Sequence, residues 1–195
     1  MTKGEKDHIS RLFPAIQKIQ NKEIREKVIL TTYNAWKSGN FGKVEDTHQW
    51  EPVRNRISYT NVEHTNQVCQ ASEKMADLLE QMLKFRIQRD YLLAGAILHD
   101  VDKMVIFDAQ SGGFRESGGK LKHAETGASL ALKEGLPEEV AHIIGAHSPT
   151  YSSTPPKTME ALIVNVADLL VARSAYLAKG LDLATVMRES MPRSR

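Results

Sequence analysis

At 195 residues, 41% of them hydrophobic and 26% charged, the chain has the composition of a single soluble globular domain with room for a substantial core. A formal net charge of +2 gives no strong attraction to nucleic acid or to a membrane surface. The one cysteine, Cys69, excludes an intramolecular disulfide and fits a reducing, cytoplasmic compartment; the polar start MTKGEKDHIS has no apolar signal core, and no uninterrupted apolar run is long enough to span a bilayer.

Residues 7–20 carry Ile9, Leu12, Phe13, Ile16 and Ile19 at helical spacing, with Pro14 set to kink or divide the segment. Residues 22–37 repeat the pattern through Ile24, Val28, Ile29 and Trp36 and stop at Ser38-Gly39. Residues 39–56 have no clear period and predict a long connection, with His48 and Trp50 expected as an exposed loop pair. From residue 61 to about 89, His64, Val68, Ala71, Met75, Leu78 or Leu79, and Met82 follow steps of three and four. His64 thus lies at the start of a buried stripe, where taken alone it reads as a satisfied core histidine. Asp90 is placed to cap the next helix, residues 91–103, YLLAGAILHDVDK. That helix is apolar on most faces, hence buried, and it runs straight into His99-Asp100. A charge there is costly unless it is satisfied. Backbone hydrogen bonds or a divalent metal would each serve, since adjacent imidazole and carboxylate ligands suit first-row cations.

The stretch DAQSGGFRESGGK, 108–120, predicts a flexible loop in which Arg115 and Lys120, with Lys122 just beyond, can meet an anion. His123 opens a helix that Gly135 stops, and Leu136-Pro137 restarts the chain. Val140, Ile143, Ile144 and His147 share a stripe, whereas His142 falls off it and is expected to be exposed. Residues 148–157 read as a second loop. Residues 158–179 form a long helix, apolar on most sides through Leu162, Ile163, Val164, Val166, Leu169 and Leu170, with Asp168 in its middle. A buried acid in such a helix calls for a cation partner.

His64, His99, Asp100, His123, His147 and Asp168 therefore come from five helical segments, each where a core-facing stripe meets an end or a partner. Six such donors are too many for one tetrahedral zinc, and suit either one octahedral ion with spare ligands or two ions sharing Asp100. The ligands recur at intervals of 35, 24, 24 and 21 residues from His64 through His99, His123 and His147 to Asp168.

This order resembles the HD-domain superfamily of metal-dependent phosphohydrolases over roughly residues 61–179. HDVDK at 99–103 is similar to the family's His-Asp-x-x-Lys, with Asp102 where the common form has glycine. HAETGA at 123–128 resembles the His-Pro-Glu-x-Gly-Ala stretch of the branch that binds two metals, His147 in AHS corresponds to the next ligand and Asp168 in NVADLL to the last. The cyclic-dinucleotide branch carries a paired His-His and a Gly-Tyr-Pro motif; this chain has only His147 followed by SPTYSSTPPK, so that specificity is not assigned.

The resemblance implies an all-α HD-domain helical bundle with a metal site in its core: residues 1–56 as N-terminal helices and connection packed on it, residues 57–195 as the HD domain, the whole one globular unit. It implies two divalent ions, from among Fe, Mn, Co, Mg and Zn, and hydrolysis of a phosphate ester of a small molecule or nucleotide. Such ions lower the pKa of water and neutralise phosphoryl oxygens as charge builds. Asp100 and Lys103 are the expected catalytic residues, with Lys103, Arg173 and Lys120 as phosphate contacts. Asp102 is expected to repel an anionic substrate or to act as an acid or base, and Glu125 to orient a ligand or stabilise a first helical turn. The rival readings are a mixed-valent di-iron oxygenase on the same fold, with Tyr59 and Glu63 as gating or extra ligand groups, and a non-catalytic metal-containing binding domain. The expected partner is a phosphorylated small molecule rather than membrane or nucleic acid, and the oligomeric state, homo-oligomer included, is left open.

Overall fold

The computed structural model describes residues 1–115, 123–148, 152 and 154–190, and among them it is built from α-helices and short 3₁₀ turns with no strand. Helix α1, Lys3–Leu12, starts on a capping box between Thr2 and Glu5. Pro14 does not kink it; it opens a separate 3₁₀ turn, Pro14–Lys18, where its fixed φ is suited to a first position. Helix α2, Lys22–Ser38, follows from the Asn21 cap. The next helices are α3, Asn61–Leu83, capped by Thr60, and α4, Arg89–Leu98. After these come α5, Lys103–Ile106, α6, His123–Lys133, and α7, Glu138–Gly145. Helix α8, Met159–Ala178, and α9, Leu183–Ser190, complete the described chain.

Helix α4 is the centre of the bundle. Every residue from Leu92 to Leu98 is buried, and α4 packs against α2, α3, α7 and α8. Full burial of a leucine or isoleucine side chain contributes roughly 1.5–3 kcal/mol, so Leu92, Leu93, Ile97 and Leu98 form the main apolar anchor of the site that follows. One apolar cluster runs from Ile9, Ile16 and Ile19 of the N-terminal segment through Val68 of α3 to Ile143 and Val164. Gly95 is what lets α7 lie close on α4: a Cβ at that position would stand 2.3 Å from Ile143 Cγ2 and 2.8 Å from its Cβ.

Four expectations are revised. Helix α4 ends at Leu98 and does not run to residue 103, because His99 to Asp102 form a turn before α5 begins. Asp90 is not the cap of α4; Gln88 holds that position, and the Asp90 carboxylate instead accepts from the Gln20 and Asn21 N–H groups at the end of the first 3₁₀ turn. His48 and Trp50 are not an exposed pair. Trp50 is buried, and His48 stacks on Phe107 at 4.5 Å within a second cluster that includes Phe41, Val53, Tyr59 and Tyr176. The unperiodic connection is thus held by aromatic packing and by a bridge between His48 and Thr60. Helix α8, finally, is not buried all round. Leu162, Val166 and Leu170 are about half exposed on its outer face, while Ala161, Val164 and Ala167 face the core. By length and composition α8 is apolar enough to cross a membrane, yet its inner face packs on α3, α4 and α7.

Substituting Gly95→Ala should cost roughly 1–3 kcal/mol by overpacking against Ile143. In chemical denaturation the control Gly4→Ala, which meets nothing within 4 Å in the first turn of α1, should be neutral or stabilising by up to about 1 kcal/mol.

Candidate metal centre

The end of α4 delivers His99 and Asp100. His99 is the C-cap and still has helical dihedrals, so its ring continues the buried face, and the turn closes through the Val101 N–H to Leu98 carbonyl and Lys103 N–H to Asp100 carbonyl bonds. His64 lies in the first turn of α3, His123 is the first residue of α6, His147 follows the end of α7 by two residues, and Asp168 is mid-α8. Helix starts and ends can aim a side chain along the axis into the space between helices, where a mid-helix residue can only point sideways. Asp168 reaches the same space sideways because α8 packs against both α3 and α4.

Two ligand groups meet at Asp100. In the first, His64 Nε2 is 2.9 Å from Asp168 Oδ1, 3.2 Å from His99 Nε2 and 3.5 Å from Asp100 Oδ2, and His99 Nε2 is 3.2 Å from Asp100 Oδ2. In the second, Asp100 Oδ1 is 3.1 Å from His123 Nε2 and 3.7 Å from His147 Nε2, and those two nitrogens are 3.2 Å apart. The two oxygens of Asp100 thus divide between the groups, and within each group the ligand atoms lie within 4.8 Å of one another. All but Asp168 are fully buried; its side chain is 18% exposed.

The hydrogen bonds behind the rings decide what those nitrogens carry. His99 Nδ1 donates to the Ala96 carbonyl at 2.8 Å and His147 Nδ1 to the Ile144 carbonyl at 2.6 Å. His123 Nδ1 is 2.7 Å from Asp102 Oδ2. Tyr59 donates its hydroxyl proton to Gln67 Oε1, which leaves its oxygen to accept from His64 Nδ1 at 3.2 Å. With every Nδ1 proton assigned in this way by the bonding pattern, every neutral Nε2 presents a lone pair. Paired imidazole nitrogens at 3.2 Å would then face each other lone pair to lone pair, with carboxylate oxygens beside them. A centre of acceptors alone is unfavourable without cations, and imidazole plus carboxylate is a donor set that divalent metals accept. The residues present therefore fit metal ions.

The titration behaviour divides the rings: His147 stays neutral, whereas His123, between two carboxylates, keeps both ring protons until a cation displaces the one on Nε2. Burial, reinforced by His123 and His99, pulls His147 down to about 3. Burial acts to lower His123 too, but the Asp102 and Asp100 carboxylates outweigh it and hold that ring up to about 10. Burial works to raise Asp168, yet the hydrogen bond and charge of His64, with His99, hold it down to about 2. Asp100 lies well below the carboxylate range because Lys103, His99 and His123 overcome its burial.

The structure brings all six expected ligands together, with Lys103 beside them. Lys103 is 3% exposed, and its Nζ is 2.5 Å from Asp100 Oδ2 and 5.8 Å from the centre of the Trp50 ring. Arg173 is partly buried and follows Asp168 by five residues, which turns it about 140° around α8 from the cluster. Lys120 and Lys122 lie outside the described residues. Arg115 reaches toward the Ser38 carbonyl, and Glu125 is exposed in the first turn of α6. Tyr59 is buried behind His64, and Glu63 is 3.7 Å from Lys179. His142 is partly buried, and its Nε2 accepts from the Lys157 N–H. Two site residues escaped the sequence reading: Asn61, whose Nδ2 reaches the Asp100 carbonyl at 3.3 Å, and Gln67 behind Tyr59. Asn61 stands one helical turn before His64, so the position was legible, but a polar residue there also reads as an ordinary helix start.

A family model described as HD domain matches residues 61–173. The chain is 31% identical over 168 residues to the dihydroneopterin 2′,3′-cyclic phosphate phosphodiesterase of Methanocaldococcus jannaschii, an alignment that covers 82% of this chain and 67% of that protein. No solved structure matches the chain.

His147 makes a pH test. Its folded value of about 3 lies below the ordinary value of about 6.5, so its contribution to stability is complete above about pH 6.5 and is lost as the pH falls toward 3. Metal-stripped wild type should therefore lose more stability on acidification through that window than His147→Gln, with urea denaturation at a series of pH values as the measurement.

Proposed function

The chain belongs to the HD-domain family and is a metal-dependent phosphohydrolase; on that premise we propose that it opens a cyclic phosphodiester on the vicinal diol of a small molecule, with two divalent ions held on either side of Asp100. The observation that carries the two-ion reading is the division of the Asp100 oxygens between two groups of lone-pair donors. Support for the substrate class comes from the activity for which the Methanocaldococcus jannaschii relative is named. The first ion would be held by His64, His99, Asp100 and Asp168, the second by Asp100, His123 and His147. Four imidazoles among these donors favour a transition metal such as Fe, Mn, Co or Zn over Mg.

When bound, divalent ions act as Lewis acids that lower the pKa of water and offset phosphoryl charge. The protein's own groups do the rest. Buried rings and carboxylates hold the centre in a low-dielectric space where electrostatic effects are strong. Lys103, a buried ammonium beside Asp100, supplies fixed positive charge for a phosphoryl oxygen. Trp50 packs edge to face on both Phe107 and Phe114, and this largely buried aromatic wall stands beside Lys103 and lowers the polarity around its charge. In the reaction water adds across one ring P–O bond: its oxygen joins phosphorus, the ester oxygen leaves as a hydroxyl with a proton, and a phosphomonoester remains.

Metal-loaded protein should convert a 2′,3′-cyclic nucleotide, and more rapidly a 2′,3′-cyclic phosphate of a pterin side chain, to the phosphomonoester without dioxygen. Chelation should abolish turnover. Asp100→Asn should lose both bound metal and activity, whereas Lys103→Met should keep its metal and lose roughly 10²–10³-fold in kcat. Turnover that requires dioxygen, or that survives complete metal removal, would refute the reading.

A further inference from the structure

Four imidazoles face the centre, and three of them rest on a neutral acceptor: His99 and His147 on backbone carbonyls, His64 on the Tyr59 hydroxyl. His123 alone rests on a carboxylate, with its Nδ1 2.7 Å from Asp102 Oδ2. Asp102 has no exposed surface, and its other oxygen, Oδ1, has no hydrogen-bond partner. Leaving a buried acceptor unsatisfied costs roughly 1–3 kcal/mol, so the fold retains Asp102 against a penalty. Gly127, one turn into α6 from His123, lies over that oxygen. A Cβ at Gly127 would stand 3.0 Å from Ile144 Cγ2 and 3.7 Å from both Asp102 Oδ1 and the His99 carbonyl oxygen, so α6 lies close over the 99–102 turn. With one oxygen on His123 and the other beneath α6, the Asp102 carboxyl faces a ring of the centre, in place of the acid, base or substrate-repelling charge expected of it.

His123 is also the ring with a carboxylate on each side. Asp100 Oδ1 stands 3.1 Å from its Nε2, opposite Asp102 at Nδ1. A neutral imidazole has one N–H proton to place. Placed on Nε2, it would bond Asp100 and close that nitrogen to a cation; placed on Nδ1, it bonds Asp102 and leaves the Nε2 lone pair open. The shorter contact is to Asp102.

We propose that Asp102 is a positioning residue for His123: it draws the ring proton to Nδ1, fixes the ring plane, and so sets the metal affinity of the Asp100–His123–His147 group separately from that of the His64–His99–Asp100–Asp168 group. The inference rests on the two-ion reading above. Groups that hold a ligand histidine in this way typically change metal affinity by 10–100-fold when removed.

The test compares wild type, Asp102→Gly and Asp102→Asn as full-length, metal-stripped protein. Mn²⁺ alone is titrated by calorimetry, and the proton position on His123 is read from imidazole ¹⁵N shifts of the same proteins reloaded with diamagnetic Zn²⁺. Wild type should show two classes of Mn²⁺ site and a His123 with its proton on Nδ1. Asp102→Gly should weaken one class by roughly 10–100-fold, leave the other unchanged, and move His123 toward the Nε2-protonated form. Asp102→Asn, whose amide oxygen can still accept from Nδ1, should lie between the two. Equal affinities in all three proteins, or a weakened site with the tautomer unchanged, overturn the proposal. If Asp102→Gly does not fold, the isosteric Asp102→Asn decides it by the same pair of readouts. A wild type that binds a single ion refutes the two-ion reading, while the ¹⁵N comparison still rules for or against Asp102.

Discussion

The structure is organised by an electrostatic conflict and its resolution. Four imidazole nitrogens and the oxygens of two aspartates point at one another across 2.9 to 3.8 Å in a space closed to solvent on most sides. Each Nδ1 is already committed to a hydrogen bond, so the rings cannot turn to relieve the crowding without leaving a buried donor unpaired. Only positive charge at the centre makes this arrangement favourable. Lys103 and, until a cation displaces its Nε2 proton, His123 supply such charge from the protein itself, and the family's divalent ions supply the rest.

Much of that centre could be read from the amino-acid order, because burial and ionisation are incompatible without a partner and the pattern placed each of the six residues at the junction between an apolar stripe and a helix end or partner. His64 and His147 were legible in this way, as the first and last polar members of apolar stripes. The all-α class was legible from the same periodicity. What could not be read was anything set by contacts between distant segments. The apolar run of α4 does not announce that its helix stops at Leu98, since His99 keeps helical dihedrals and the turn forms only through the bonds of Val101 and Lys103. Trp50 and His48 sit in a stretch without period, and their burial depends on Phe107 and Phe114, more than fifty residues on. Asp102 looked like a charge facing substrate because its partner, His123, belongs to another helix. The outer face of α8 looked buried because Leu162, Val166 and Leu170 are as apolar as the residues that do face the core.

The second aromatic cluster ties the irregular connection to the turn that carries His99 and Asp100. Phe107 ends the short α5 that Lys103 begins; it is fully buried and touches His48, Trp50 and Phe114. Tyr59 belongs to the same cluster and also holds His64. Apolar packing on one side of the site and ligand geometry on the other therefore share residues. The connection that looked least structured is the wall through which the metal-facing helices and the apolar surface are registered against each other.

The direct contact between His64 and Asp168 joins residues 104 positions apart in the chain. During synthesis the early ligands exist long before the last of them leaves the ribosome, and until α8 docks they form only part of a site. The His64–His99–Asp100–Asp168 group is thereby completed only in a finished, folded chain, whereas Asp100, His123 and His147 have all been made before α8. A product truncated ahead of α8 would keep the residues of the second group and lack the last member of the first.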